Sequence, residues 1–183
     1  IRAHPMTLRV RAATLADVPD ITALYAREVR EGVATYEYDA PGEVDMAARM
    51  QALIDHGFPY LVAEHDGTFA GYAYASSYRG RTGYRWTVED TVYVVPEAHG
   101  KGIGSALLAH LIQQCEARGF RQMVAVIGES ANGPSVALHE KFGFRTVGVF
   151  QGLGRKHGRW LDTVQMQRAL GSGNADSPAD NST

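Results

Sequence analysis

Alternating glycines are the first feature of the sequence with a chemical meaning. Gly100, Gly102 and Gly104 follow a strand-like run and precede a helix-like run. Glycines let successive main-chain N–H groups approach a ligand, and a helix N-terminus behind them adds partial positive charge, so the segment suits a pyrophosphate. It is neither a Walker A loop nor G-x-G-x-x-G, because Ser105 fills the last glycine position. A glycine-rich turn without any ligand also explains it.

Glu89 and His139 are the candidates for moving protons. Glu89 lies in a run of apolar and hydroxyl residues, where partial burial would raise its pKa toward the range of a useful general base. His139 lies on a short helix-like segment, and imidazole titrates near neutral pH. Each has a plainer explanation, a solvent-facing or salt-bridged carboxylate for Glu89 and a structural or exposed histidine for His139.

A pair of arginines predicts the charge of the substrate. Arg79 and Arg81 are separated by one residue, so in extended backbone both side chains project to one side. Guanidinium groups bind carboxylate and phosphinate oxygens in pairs, as a doubly anionic amino acid requires. A solvated basic turn is the alternative. A cationic acceptor would instead favour an acidic pocket.

The elements that must position these residues alternate between strand-like and helix-like patterns, in the order β-α-α-β-β-β-α-β-α-β-β. The predicted strands are 7–12, 60–64, 69–76, 87–95, 123–127, 144–150 and 161–168. The predicted helices begin near Thr14, span 43–56, follow Gly104 and span 134–141. Only the step from 87–95 to 123–127 needs a parallel crossover. We therefore predict an α/β (α+β) fold with a mixed, mostly antiparallel sheet flanked by helices.

The length of 183 residues fits one domain. We assign this domain to residues 6–170, because a strand-like run begins directly after Met6. Residues 1–5 are interpreted as an unstructured or non-native start. Residues 171–183 contain no large apolar side chain and are predicted to be disordered.

Composition excludes several classes of partner. The net charge is -2 and no dense Lys/Arg stripe is present, so we expect no nucleic-acid partner. No apolar run approaches the ~20 residues of a membrane span, so no membrane partner is expected. Cys115 is the single cysteine, which excludes a disulfide framework and favours a reducing, cytoplasmic setting. The His, Asp and Glu residues lack metal-ligand spacing, and we expect no metal.

Wider motifs extend the glycine loop into a longer pattern. The glycine loop itself reads His99-Gly-Lys-Gly-Ile-Gly104, and it is preceded by Val-Tyr-Val-Val95-Pro96. After the next apolar run comes the segment Asn132-Gly-Pro-Ser135-Val-Ala-Leu-His139-Glu-Lys-Phe-Gly143-Phe144. Together these segments resemble the GNAT superfamily of acetyltransferases. In that family the loop reads Gln/Arg-x-x-Gly-x-Gly/Ala and holds the pyrophosphate of coenzyme A. His99 stands at the Gln/Arg position, which is a departure from the family pattern.

A narrower resemblance covers nearly the whole predicted domain, from residue 8 to residue 170. Three segments are similar to those of phosphinothricin acetyltransferases. They are 78–94, Val124-Ala-Val-Ile-Gly128 and Lys156-His-Gly-Arg159-Trp160-Leu-Asp162. The resemblance implies transfer of acetyl from acetyl-CoA to the α-amine of a small anionic amino-acid analogue. Phosphinothricin, methionine sulfoximine and arsinothricin are of this type, and acetylation would give resistance by detoxification. The resemblance also implies a homodimer.

The resemblance further implies roles for individual residues. Glu89, His139 and Tyr93 would be catalytic, with main-chain N–H groups near Tyr93 and Val94 polarising the thioester. The implied coenzyme contacts are Val92, Tyr93, Val94, His99, Gly100, Lys101, Gly102, Ile103, Gly104, Ser105, Asn132 and Ser135. The implied substrate contacts are Arg79, Arg81, Tyr84, Glu89 and Tyr36.

Two other functions remain open from the sequence. One is a GNAT enzyme for a different acceptor, such as a protein N-terminus, a polyamine or an aminoglycoside. The other is a catalytically silent acyl-CoA-binding module. Such a module would have no reason to retain Glu89, His139 and the arginine pair together, and stabilisation by coenzyme A without turnover would favour it.

Overall fold

A mixed sheet of seven strands organises the fold in the computed structural model, which describes residues 6–129 and 133–179. The strands are β1 (Leu8–Ala12), β2 (Tyr60–His65), β3 (Thr68–Ser77), β4 (Thr87–Val94), β5 (Gln122–Gly128), β6 (Arg145–Lys156) and β7 (Arg159–Ala169). Their spatial order is β1-β2-β3-β4-β5-β7-β6, and β4 and β5 pair in parallel while the other neighbours are antiparallel. The predicted sheet type is confirmed.

Helices cover both faces of the sheet. They are α1 (Val18–Glu31), α2 (Glu43–Asp55), α3 (Ile103–Ala117) and α4 (Gly133–Lys141). Alternation along β2 divides the core, since Leu61 packs in the cluster formed with α3 whereas Val62 packs in the cluster formed with α1 and α2. In α3, Leu107, Leu108 and Leu111 are fully buried, and burying each leucine contributes about 1.5–3 kcal/mol. The position of α3 is therefore fixed by its apolar face.

Strand β6 extends well beyond the predicted 144–150. It runs to Lys156 with two irregularities in its pairing to β7, between Thr146 and Gly148 and between Phe150 and Gly154. Most of its side chains are exposed, so the apolar alternation that identifies a half-buried strand is missing from its second half. This longer hairpin carries Lys156 to the connection between α1 and α2.

Residues 171–179, in the segment predicted to be a disordered tail, contact the side chain of Arg121. The guanidinium of Arg121 donates to the carbonyl of Gly173 at 2.8 Å and to the carboxylate of Asp176 at 2.6 Å. Leu170, at the end of the sheet, is completely buried. The composition of this segment shows that it lacks large apolar side chains. It does not show that the distant Arg121 side chain binds the segment. The domain boundary at residue 170 stays a prediction.

Candidate active site

Strands β4 and β5 separate part-way along their length. Their pairing covers only Thr87–Glu89 against Gln122–Val124, although β4 continues to Val94 and β5 to Gly128. The unpaired ends line a cleft of about 970 Å³, which α4, the start of α3 and residues 34–36 also line. Ligands of α/β sheets bind outside the carboxyl ends of parallel strands, and this cleft lies at that position.

Main-chain donors of β4 face the cleft at alternate residues. Val95 donates its N–H to β3 at 2.9 Å, and every second residue of a strand directs its main-chain groups to the same side. The N–H of Tyr93 is therefore used in the pair with Tyr72, whereas those of Val92 and Val94 point toward the cleft. Of the predicted donors near Tyr93 and Val94, the structure thus favours Val94 for a thioester carbonyl.

Tyr93 also lines the cleft, and its ring packs into an aromatic cluster. The rings of Tyr72 and Tyr25 lie 5.3 and 5.8 Å from it. Burial raises the pKa of the Tyr93 phenol well above its usual value. The Tyr93 hydroxyl is therefore a weak proton donor near neutral pH.

The glycine loop leads into α3 with the first N–H groups of the helix uncovered. Gly100 and Gly102 have φ angles of +77° and +79°, in the left-handed region that favours glycine. No side chain caps the first turn, and Ile103, Gly104 and Ser105 line the cleft. Free N–H groups and a positive dipole end therefore face the ligand space, which fits the predicted pyrophosphate site.

Side chains around this loop differ from the expected set. The Nε2 atom of His99 bonds the Val94 carbonyl at 3.2 Å, so the ring is directed at the strand. Lys101 is not among the residues that line the cleft. Lys141, which sequence reasoning did not single out, lines it from the end of α4 and donates from Nζ to the Ser105 hydroxyl at 3.2 Å. Its ammonium is placed to contact an anion at the start of α3.

Glu89 is the last residue of β4 that pairs with β5, and it lines the cleft. Burial raises the pKa of its carboxyl above the ordinary value of 4.5, and the charge of the neighbouring Asp90 raises it further. A carboxylate with a raised pKa is a stronger base than one in water, as proton abstraction from an amine requires. The structure thus provides the environment that the sequence predicted for a general base.

His139 lies on the cleft wall, 4% exposed, with both ring nitrogens engaged. Nδ1 lies 2.7 Å from the carbonyl of Ser135 and Nε2 lies 2.8 Å from the carboxylate of Asp90. Burial alone would lower the pKa of His139, but the hydrogen bond and charge of Asp90 outweigh it, and the pKa is raised. The result is a buried His139–Asp90 pair that favours the protonated form of the ring. Asp90 was missed from the sequence, where its only signal was a second carboxylate directly after Glu89.

Four residues with paired hydroxyl groups line one part of the cleft. The Tyr36 hydroxyl lies 3.0 Å from that of Thr163, and the Tyr25 hydroxyl lies 2.9 Å from that of Thr35. All four residues line the cleft. Tyr36 was expected near the substrate, whereas nothing in the sequence pattern indicated the other three. We refer to Tyr25, Thr35, Tyr36 and Thr163 as the hydroxyl wall.

The predicted arginine site is not assembled in the cleft. Arg79, Arg81 and Tyr84 are exposed on the connection between β3 and β4, and none of them lines the cleft. The Arg79 guanidinium instead lies over the ring of Tyr78, 5.4 Å from its centre. Asn132, expected at the coenzyme, lies outside the described residues. The predicted residues that do line the cleft are Tyr36, Glu89, Val92, Tyr93, Val94, His99, Gly100, Gly102, Ile103, Gly104, Ser105, Ser135 and His139.

Within residues 6–129 and 133–179, no group of three or more His, Cys, Asp and Glu side chains is arranged to hold a metal ion. None of the helices in these ranges combines the length and apolar character needed to cross a bilayer.

Comparison with known proteins gives a consistent assignment. The model of the acetyltransferase (GNAT) family matches residues 18–144. The chain is 48% identical over 169 residues to a phosphinothricin N-acetyltransferase of Alcaligenes faecalis, covering 92% of this chain and 86% of that protein. It is 41% identical over 170 residues to an L-methionine sulfoximine/L-methionine sulfone acetyltransferase of Pseudomonas aeruginosa, covering 90% of this chain and 96% of the other.

A solved structure matches along almost the whole fold. It is a GNAT superfamily phosphinothricin acetyltransferase from Sinorhizobium meliloti, determined in complex with acetyl-CoA. The TM-score is 0.92 at 50% sequence identity, and the match covers 96% of this chain and 95% of that one.

Proposed function

Because this chain belongs to the GNAT acetyltransferase family, we propose that it transfers acetyl from acetyl-CoA to the α-amine of a small anionic amino-acid analogue. Phosphinothricin, methionine sulfoximine and arsinothricin are the proposed acceptors, with detoxification as the biological role. The observation that carries the proposal is the cleft itself. There the unpaired donors of β4, the uncapped start of α3 and the carboxyl of Glu89 border one space.

In the proposed reaction the amine nitrogen forms a bond to the thioester carbonyl carbon. Glu89 accepts a proton from the α-ammonium, directly or through water, and the neutral amine attacks. The Val94 N–H stabilises the oxyanion of the tetrahedral intermediate, and a contact of this kind is typically worth about 3 kcal/mol of barrier. Glu89 passes its first proton to water and accepts the excess proton of the nitrogen as the C–S bond breaks, and an amide and a thiolate result.

The thiolate needs one proton, and we propose His139 as its source. Burial lowers the pKa of His139, but the hydrogen bond and charge of Asp90 raise it overall, which favours the protonated ring that a proton donor requires. After donation the neutral ring can keep its bond to the Ser135 carbonyl and give up the one to Asp90. Tyr93 is the weaker candidate, because burial raises the pKa of its phenol.

Recognition of the anionic acceptor is proposed for Arg79, Arg81 and Tyr84. The support is chemical, since paired guanidinium groups match carboxylate, phosphinate and related oxygens. No arginine is among the described residues that line the cleft. The proposal therefore requires the connection that carries these residues to approach the cleft when the acceptor binds, in this chain or from a second copy.

The test is release of free thiol from acetyl-CoA with parallel acceptors. We expect turnover with phosphinothricin, methionine sulfoximine or arsinothricin, and a higher KM for that acceptor in Arg81→Ala with little change in KM for acetyl-CoA. Methionine, spermidine and a short peptide with a free N-terminus serve as controls. Turnover confined to spermidine or the peptide would assign a different acceptor. Thermal stabilisation by coenzyme A with no turnover on any amine would indicate a silent binding module.

A homodimer is also proposed, on the basis of apolar side chains exposed on β6 and β7. Val147, Val149, Phe150, Leu153 and Trp160 are all exposed, Leu153 by 61% and Trp160 by 67%. Exposed apolar side chains that form one patch mark protein interfaces, and we propose that these five form such a patch. We expect light scattering to give twice the chain mass of 19.9 kDa. Phe150→Asp should yield monomer, and Val44→Asp on the exposed side of α2 should not; a monomeric wild-type chain would contradict the proposal.

The cytoplasm is the proposed location. The cleft is proposed to use acetyl-CoA, and the single thiol at Cys115 is buried and free, as in proteins of reducing compartments. Fractionation of cells that express the chain tests the location directly.

A further inference from the structure

The connection between α1 and α2 lies against two glycines of the sheet. A Cβ atom at Gly128 would meet the carbonyl oxygen of Val33 at 2.3 Å, and one at Gly154 would meet the ring of Tyr36 at 2.3 Å. Any larger residue would displace the connection or the ring. The position of Tyr36 in the hydroxyl wall therefore depends on how tightly this connection is held against β5 and β6.

Lys156, at the end of β6, makes contacts that hold the connection. Its side chain is 4% exposed, and Nζ donates to the carbonyl of Thr35 at 2.8 Å and reaches the carbonyl of Glu28 at 3.5 Å. The Glu28 carbonyl belongs to the last turn of α1, where it also accepts the N–H of Gly32 at 2.8 Å and where the helix dipole favours a cation. The adjacent His157 bonds the Gly32 carbonyl through Nε2 at 2.9 Å. The tip of the β6–β7 hairpin thus contacts the connection between α1 and α2 at two positions, Gly32 and Thr35.

A buried ammonium is costly unless it is matched by acceptors. Burial lowers the pKa of Lys156, and no ion pair with a carboxylate involves it in the described part of the chain. Lys156 does not line the cleft. The contacts of Lys156 hold the Thr35–Tyr36 segment in place and do not involve the ligand space of the cleft.

On the basis of the proposed acetyl transfer, we infer that Lys156 is a positioning residue for the acceptor. By fixing Thr35, it holds Tyr36 against Thr163 and sets the hydroxyl wall that the acceptor meets beside Glu89. The donor site at the start of α3 is built from other elements, so Lys156 should affect the acceptor and leave acetyl-CoA unaffected.

Lys156→Met tests this inference, because it keeps the length of the stem and removes the donors. We expect kcat/KM for the amine acceptor to fall about 10- to 100-fold, mainly through a higher KM, since small misplacements at a distance have effects of this size. KM for acetyl-CoA should be unchanged. The matched control is Arg155→Met, which removes an exposed cation from the neighbouring position and should behave as wild type. Equal changes in both KM values would overturn the positioning role.

Gly154→Ala tests the same wall at a second position of β6. The added methyl would occupy the place of the Tyr36 ring while leaving Lys156 intact. We expect the same rise in acceptor KM. This variant keeps the inference testable if Lys156→Met does not fold, and an unchanged acceptor KM would contradict it.

A readout without turnover separates this inference from the proposed function. Amide hydrogen exchange of residues 32–38, measured with neither substrate present, should be faster in Lys156→Met than in wild type and Arg155→Met. If no amine is acetylated by wild type, the proposed function fails, and the exchange result alone decides whether Lys156 holds the wall. Unchanged exchange at 32–38 would overturn the inference whatever the turnover.

Discussion

Glu89→Gln is expected to lower kcat by about 10²- to 10⁴-fold, the usual contribution of a general base. Glutamine matches glutamate in shape, so the cleft and the coenzyme contacts should be preserved. The measurement is thiol release at saturating acetyl-CoA, with coenzyme binding followed by thermal shift. Glu43→Gln, an equal charge change at an exposed residue of α2, is the control and should retain full activity.

The same substitution should increase stability near neutral pH. The folded pKa of Glu89 is raised, so its contribution to stability is fully present below the ordinary value of 4.5 and is lost as the pH rises through the folded pKa. Near neutral pH the buried carboxylate is therefore a cost that the neutral amide removes. Thermal unfolding should give a higher melting temperature for Glu89→Gln than for wild type at pH 7, and no such difference at pH 4.

The pH–rate profile provides a further check on the assignment. A base with a raised pKa places the acidic limb of kcat/KM above 4.5, and the limb that belongs to Glu89 should be absent from the glutamine variant. A variant that retains wild-type kcat and the same limb would assign the base to another group. Together with the stability result, this outcome would leave Glu89 as an ordinary buried carboxyl.

The architecture could be predicted because its signals are local. The glycine loop, the apolar run at 123–127 and the helix between them predict the parallel crossover, and strand alternation predicts the rest of the sheet. The separation of β4 from β5 has no such signal. The residue pattern of β4 continues unchanged past Glu89 to Val94, although the pairing of β4 with β5 ends at Glu89. Where two strands part depends on what packs between them, which neither strand encodes alone.

The contacts that complete the site are long-range and therefore escaped the sequence. His139 and Asp90 are 49 residues apart in the chain, and Tyr36 and Thr163 are 127 apart. Residue type identified His139 and Tyr36 as candidates, but only the fold reveals what restrains them. For Arg81 the residue type alone was not sufficient. Its guanidinium predicts anion binding, but the structure places it on an exposed connection that does not line the cleft.

Asp90→Ala is expected to cause the largest loss of stability of any change at the site. It leaves Nε2 of the buried His139 without its partner, and breaking a buried ion pair from one side costs about 3–5 kcal/mol. For a domain of this size the melting temperature should fall by roughly 6–20 °C. Thermal unfolding at pH 6 measures the effect, and Asp39→Ala at an exposed residue is the control.

Asp90→Asn separates the charge of the pair from its hydrogen bond. An asparagine amide can donate to Nε2 of a neutral imidazole, so this variant should lose less stability than Asp90→Ala. The raised folded pKa of His139 gives stability that is fully present below the ordinary value of 6.5 and is lost as the pH rises through the folded pKa. Wild type should therefore lose more stability than Asp90→Asn between pH 6 and pH 9. Parallel curves for the two proteins would show that His139 is not held as an imidazolium, and the proton for the departing thiolate would have to come from elsewhere.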